Sequence, residues 1–254
     1  MQYALIEGSR ALPAPRAKAE CPACSAPVIA KCGTRVVWHW AHAAGRHCDP
    51  WWENETDWHR TWKSQVPEAW REVVMFDDRS GEKHIADIRT DTGFVIELQH
   101  SAMTPEELRS REQFYERMIW IVDARPFAAS FVVLNDPLPH PDSKLHSDVV
   151  FFPELASAFW RLSERDRTSA LVQMHHAREI AEEIQADYRG HHFFKWTRPR
   201  QVWLEATAPV FLDFGEQELL QLHRFGQFKQ LCVQRRPRRL PSETEVMSVL
   251  RPDA

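Results

Sequence analysis

The sequence predicts an α+β (mixed α/β) protein: a helix, a three-strand meander, a second helix and a buried strand, set between an N-terminal Cys/His module and a C-terminal accessory region of helices then strands. Three observations predict it. Two pairs of chelating side chains, Cys21-Pro-Ala-Cys24 and His39-Trp-Ala-His42, flank a strand–turn–strand pattern. A four-residue recurrence over 53–70 gives way to period-two alternation over 72–100. A capped helix then runs into the apolar stretch Ile119–Val122. The expected domains are 1–50, 51–150 and 151–254.

At 254 residues the chain can bury one substantial core and still carry smaller modules. Hydrophobic residues at 43% and charged residues at 27% fit a globular domain rather than a disordered one. Eight scattered glycines form neither a dinucleotide fingerprint nor a Walker loop, which argues against those cofactors. No apolar run approaches the roughly 20 residues of a membrane helix, and Met1–Arg10 does not read as a secretion signal. No membrane association and a cytoplasmic location are therefore expected. The net charge of -4 hides basic stretches at 1–50 and at Lys229–Arg239, either of which can face phosphates or simply be solvated surface.

The N-terminal module follows zinc-ribbon logic. Zinc takes four thiolate or imidazole ligands in a tetrahedron, and two chelating pairs supply them compactly. Cys21, Cys24, His39 and His42 are the expected ligands, with Val28–Lys31 and Arg35–Trp38 as the intervening strands. His47 and Cys48 lie just beyond, and Cys48 is the alternative to His39. Cys32 and Cys232 are spare thiols, as befits a reducing compartment. A segment this short buries too little to fold alone, so metal binding contributes much of its folding free energy.

In the central region Trp58, Trp62 and Val66 recur at four-residue steps, and Glu55, His59 and Lys63 recur on a neighbouring face of the same predicted helix, Glu53–Trp70. Strands follow at Glu72–Phe76, His84–Thr90 and Phe94–His100, separated by the polar turns 77–81 and 91–93. Alternation sets Ile85, Asp87 and Arg89 on one face, and Glu97, Gln99 and Ser101 on one face of the next strand. Asp87 and Glu97 can then stand side by side. Thr104-Pro-Glu-Glu opens a helix to about Met118, with Arg111 and Tyr115 one turn apart.

These motifs, in this order, resemble the competence protein CoiA family. They are Cys-Pro-x-Cys, His-Trp-Ala-His, Glu55-x-x-x-His59-x-x-x-Lys63, Ala86-Asp87-Ile88, Ile96–Ser101, Arg111-x-x-x-Tyr115 and Trp120–Asp123. The resemblance covers roughly residues 20–125. It implies a restriction-endonuclease-like, PD-(D/E)XK core and a metal-dependent deoxyribonuclease acting in transformation, recombination or defence. Asp87 and Glu97 are then the ligands of Mg2+ or Mn2+, and Glu55 a third ligand or a proton acceptor. The superfamily commonly has lysine where this chain has Gln99, so the missing cation is expected from Lys63 or His59. DNA, single strands included, is the expected partner. The alternatives are a catalytically weak DNA-binding protein of the same fold and a zinc-stabilised interaction module.

Several further readings accompany this one. Arg111 and Tyr115 are expected to brace the sheet more than to touch phosphate. The tryptophans of 38–70 are expected mainly to join the Cys/His module to the first helix, with Trp51 and Trp52 the candidates for stacking on bases. Helices are expected within 154–188, where His175, Glu179 and Glu183 read as a solvated face. Strands are expected at Val202–Ala206, Pro209–Phe214 and Phe228–Val233.

Overall fold

A computed structural model describes residues 1–43, 48–77 and 81–250. His47 and the turn residues 78–80 lie outside them. The chain forms two compact units, one of Met1–Val122, Leu204–Ala208 and Leu240–Ala254, the other of Asp123–Trp203 and Pro209–Arg239.

The first unit opens with five short antiparallel strands, β1 (Ala4–Ile6), β2 (Ser9–Ala11), β3 (Lys18–Glu20), β4 (Pro27–Lys31) and β5 (His39–His42), ordered β2-β1-β3-β4-β5. The β1–β2 hairpin turns through Glu7 and Gly8 at φ 51° and 77°, the double positive-φ turn that matches strand twist. A small core of Met1, Ala4, Cys21, Val28 and Trp40 packs against Val74 and Ile85. That packing seats the module on the strands that follow.

Helix α1 is shorter than its periodicity suggests, Asp57–Lys63 instead of 53–70. Thr56 caps it in a reciprocal box with His59, so 53–56 stay extended, and Pro67 ends any continuation. Then come β6 (Arg71–Phe76), β7 (Lys83–Arg89), β8 (Val95–Gln99), α2 (Pro105–Tyr115) and β9 (Met118–Asp123). The first three pair antiparallel, and β9 lies parallel to β8 with Glu97 opposite Trp120. Helix, meander, helix and strand thus occur in the expected order. Helix α2 stops at Tyr115 because Glu116 takes φ 57°, which frees Met118 to enter the sheet buried.

The second unit holds β10 (Phe131–Pro139), β11 (Val149–Phe152), β12 (Leu155–Arg161), β13 (His175–His176), α3 (Ala181–Asp187), β14 (Tyr188–Trp196), α4 (Val202–Glu205, which runs on into the first unit), β15 (Val210–Asp213), β16 (Glu218–Phe225) and β17 (Gln230–Pro237). Its strands run β10-β14-β17-β16-β15, with β11-β12-β13 as a separate sheet. Of the helices expected over 154–188, the later part forms, as a 3-10 turn at Ala177–Ile180 running into α3, while the earlier part is replaced by β12 and β13. The apolar strand β11 needs a partner, and Phe159 opposite Phe151 supplies it against local propensity. Val202–Ala206 is likewise a helical turn, not a strand. The strand expected from Phe228 begins at Gln230, after a turn with Gly226 and Lys229 at positive φ. Helix α5 (Glu243–Leu250) returns to the first unit. Among the described residues no helix is long and apolar enough to cross a membrane.

Candidate functional site

The first unit contains two clusters of chemically active side chains. In the Cys/His module, one donor atom from each of Cys21, Cys24, His42 and Cys48 lies within 4.8 Å of the others. The Sγ atoms of Cys21 and Cys48 are 3.7 Å apart, and Cys24 Sγ is 3.3 Å from His42 Nε2. Two thiolates at about 2.3 Å from one tetrahedral ion stand roughly 3.8 Å apart, so the donors already have the spacing of a zinc site. Burial pushes the Cys21 and Cys48 thiols up, as does the charge of Cys21 beside Cys48. A cation held among them offsets that cost.

His39 is not among the donors; Cys48 takes its place. Residues 39–42 form a strand rather than a turn, and alternation sends His39 and His42 to opposite faces. Trp40 shares the His42 side and fills the module's core, while His39 Nδ1 bonds the Val37 carbonyl at 2.9 Å.

The second cluster surrounds a cavity of about 60 Å³ lined by residues that include Asp49, Trp51, Glu53, Glu55, His59, Lys63, Glu72, Asp87, Glu97 and Arg111. Five of the six residues singled out for chemistry in the sequence therefore meet there. Asp87 and Glu97 face it from neighbouring strands, as alternation requires. The Asp87 amide donates to Glu97 Oε1 at 3.1 Å and the Leu98 amide to Asp87 Oδ2 at 3.1 Å. Arg111 donates to Glu97 Oε2 at 3.2 Å. Even so, burial first and the Asp87 charge second push Glu97 up to about 8. Arg111 on Glu97 and Lys63 on Asp87 thus offset only part of the cost of burying the two acids together.

Lys63 is almost fully buried and its Nζ lies 2.9 Å from Glu55, 3.1 Å from Glu72 and 3.1 Å from Asp87. Burial alone lowers an ammonium pKa; here three carboxylates raise it well above its usual value. Glu55 Oε2 is therefore committed to Lys63. Its other oxygen, Oε1, is buried and makes no hydrogen bond, with the Arg60 guanidinium 3.7 Å away as its ion-pair partner. A carboxylate oxygen without a hydrogen bond, on a residue that lines the cavity with Asp87 and Glu97, suits a hard divalent cation, which favours oxygen ligands and keeps its own waters. Glu72 reaches Lys63 from a backbone at φ 46°, a strained conformation for this residue, and also accepts the amides of Gln2 and Tyr3.

Gln99 stands apart from the cavity lining. Its amide donates to Glu53 and to the Ser101 carbonyl, and its oxygen accepts from Arg111 at 3.2 Å. His59 Nδ1 accepts from the Thr56 amide, which leaves Nε2 facing Glu53 at 3.7 Å. Arg111 both braces and contacts: it bonds Glu97, Glu107 and the Trp51 carbonyl. Tyr115 lines the cavity too, its phenol pushed well up by burial.

Sequence reading missed Asp49, Glu53 and Glu72. Asp49, next to Cys48, bonds His84 Nδ1 at 2.9 Å and the Ile85 amide at 2.8 Å. Glu53 accepts the His100 amide at 3.1 Å, the Ser101 amide at 3.2 Å and the Ser101 hydroxyl. Asp49 falls in a turn at the end of the Cys/His module and Glu53 in an irregular stretch expected to be helix, where periodicity gives no direction. Glu72 escaped because its positive φ breaks the strand alternation that would have placed it.

Of the tryptophans, Trp40, Trp58 and Trp62 are buried and Trp51 stacks on His84 with ring centres 3.2 Å apart. Elsewhere, in the second unit, His175 lies on β13 rather than on a helix with Glu179 and Glu183; it pairs with Glu164 at 2.6 Å, and Glu183 is exposed.

Neither the curated proteins nor the solved structures yield a match. Residues 12–50, which contain all four donors of the Cys/His cluster, match the family model of the competence protein CoiA, N-terminal domain, and this similarity supports a CoiA-like family.

Proposed function

We propose that this chain is a divalent-metal-dependent deoxyribonuclease, using Mg2+ or Mn2+, whose N-terminal cluster holds structural zinc. The observation that carries the reading is the meeting of Asp87 and Glu97 in a buried cavity where Glu97 is pushed up to about 8. Side-by-side acids are costly unless a cation relieves them. Asp87 and Glu97 would hold the ion, with Glu55 Oε1 the next oxygen at hand. When bound, such an ion neutralises charge on a scissile phosphate and makes a water nucleophilic near neutral pH.

The remaining residues position this pair. Lys63 holds Glu55, Glu72 and Asp87 in one arrangement, and Arg111 fixes Glu97. His59, with Nδ1 committed to Thr56, can hold a proton at Nε2 on the cavity side. Gln99, at the usual lysine position, would orient Glu53 and Arg111. DNA is the proposed partner, and similarity to a competence protein's N-terminal domain supports a role in competence.

A second reading, DNA binding without turnover, is favoured by Lys63, whose single ammonium already sits among three of the carboxylates where a cation would bind. One experiment separates the two. Purified protein is incubated with circular and end-labelled DNA, single- and double-stranded, in Mg2+, Mn2+ or EDTA. Metal-dependent cutting lost in Glu97→Gln supports the nuclease. Retention of DNA without cutting in any metal supports the binder and sinks the first reading.

A further inference from the structure

The sheet of the second unit carries a polar stripe beside its apolar core. Leu138, His191, Gln234 and Gln221 pair in one row across β10, β14, β17 and β16, and His223 pairs with Cys232 two rows on, on the same face. Directly paired residues share a face. Along this face Leu138, Phe193, Phe225 and Cys232 belong to the core. His191, Gln221 and Gln234 are just as buried. Gln234 satisfies its amide on the Arg189 carbonyl at 2.7 Å, and Gln221 accepts from Arg236 at 3.1 Å.

His191 does not satisfy its ring. It is 0% exposed, and neither Nδ1 nor Nε2 has a hydrogen-bond partner. His223 Nε2 is buried and unpartnered as well. A buried imidazole ordinarily bonds through at least one nitrogen. The rings of His140 and His223 stand 5.2 Å and 5.3 Å from that of His191, at 89° and 77°. Two imidazoles bound at about 2.0 Å to one tetrahedral ion have ring centres roughly 5 Å apart.

We propose that His140, His191 and His223 form a second metal site, one that binds a zinc-class divalent ion through neutral imidazole nitrogens. Burial lowers the pKa of His191 and His223, which keeps both in the form that ligates. His140 Nδ1 accepts the Asp142 amide at 3.2 Å, which leaves Nε2 as the ligating nitrogen once its proton is displaced by the ion. Arg236 opposes the ion by charge, and its Nε is tied to Gln221. Among the described residues only the Cys/His cluster has three or more donors within 4.8 Å of one another. The trio therefore closes by rotation of His140, whose side chain is 44% exposed.

The test uses the full chain with its N-terminal cluster already loaded with zinc, titrated with zinc and, separately, with cobalt. A second equivalent should bind, and cobalt there should show ligand-field bands without thiolate charge transfer. His191→Gln and His223→Gln should each weaken that equivalent by more than about 100-fold, beyond the loss from an outer-shell change. The first equivalent stays. His140→Ala, at an exposed position that the fold tolerates, should also weaken it, and His176→Asn should not. No second equivalent, or one indifferent to all three ligand variants, overturns the site and leaves an internal water as the partner of His191.

Discussion

Asp87 and Glu97 are held by each other's strands: the Asp87 amide donates to Glu97 at 3.1 Å, and Leu98, next to Glu97, donates to Asp87 at 3.1 Å. Their positions are thus set by backbone, and their charges are in conflict. Glu97→Gln keeps the size and one acceptor, for either Arg111 or the Asp87 amide, while removing the conflict. Its melting temperature in EDTA should equal or exceed that of the parent. Its cleavage rate in Mg2+ should fall about a thousand-fold, the equivalent of several kcal/mol of lost metal stabilisation. Parental cleavage by both Glu97→Gln and Asp87→Asn moves the active site elsewhere.

The Cys/His cluster makes a prediction that distinguishes two neighbouring histidines. His42→Ala and Cys48→Ser should each release zinc and lower the stability of the first unit, because the ion's binding energy is folding energy. His39→Ala should retain zinc, since its ring faces away and bonds the Val37 carbonyl. Elemental analysis of the purified variants checks both. Zinc retained in Cys48→Ser but lost in His39→Ala reverses the assignment.

How much of this was legible from the chain depended on periodicity. Trp58, Trp62 and Lys63 recur on a helix, and Asp87 and Glu97 alternate on strands, so their directions followed from spacing. The fourth ligand was harder, because His-x-x-His suits a turn or a helix and fails on a strand. Cys48 lies on an irregular segment with no period, tied down by the neighbouring Asp49 through contacts distant in sequence. In the second unit, Ala156 to Ala158 favoured helix locally, while the partner strand Val149–Phe152 decided otherwise. Pairing partners distant in sequence are not readable from local pattern.

Glu53 predicts an acid limb. Burial would raise its pKa, but His59, Ser101 and the His100 amide hold it at about 2, below the ordinary 4.5. A carboxylate with a depressed folded pKa stabilises fully above 4.5 and loses that contribution as pH falls toward 2. The difference of about 2.5 pKa units corresponds to about 3 kcal/mol at most. Urea unfolding of the parent should weaken between pH 5 and 2 more steeply than that of Glu53→Gln. Parallel curves for the two proteins contradict this origin of the limb.

Trp51 should act as packing. Its ring lies on His84, meets Phe114 and Tyr115 edge-on, and has the Arg111 guanidinium 5.5 Å from its centre. Trp51→Ala should cost about 3 kcal/mol, the low end for removing a large core aromatic, since the residue is only half-buried. Affinity for single-stranded DNA, measured per folded molecule, should change little. A stable variant with weakened affinity makes Trp51 a base-stacking platform instead.

Lys63 is the residue on which the first unit's charge balance turns. Its ammonium is the shared partner of Glu55, Glu72 and Asp87, all from different elements, and its side chain is 2% exposed. Removing one member of a buried ion cluster strands the others without counter-charge, which typically costs 3–5 kcal/mol, so Lys63→Met should lose about 4 kcal/mol. Replacing Glu72 with Gln in the same chain should restore part of that loss, because one stranded charge is gone. Arginine should not substitute well, since its planar fork is larger than the space occupied by one ammonium. Mg2+ should stabilise Lys63→Met more than the parent, as the freed oxygens of Asp87 and Glu55 become available to a divalent ion. Chemical unfolding of the four proteins with and without Mg2+ reads all of these shifts; a Lys63→Met protein as stable as its parent removes Lys63 from the centre of the site.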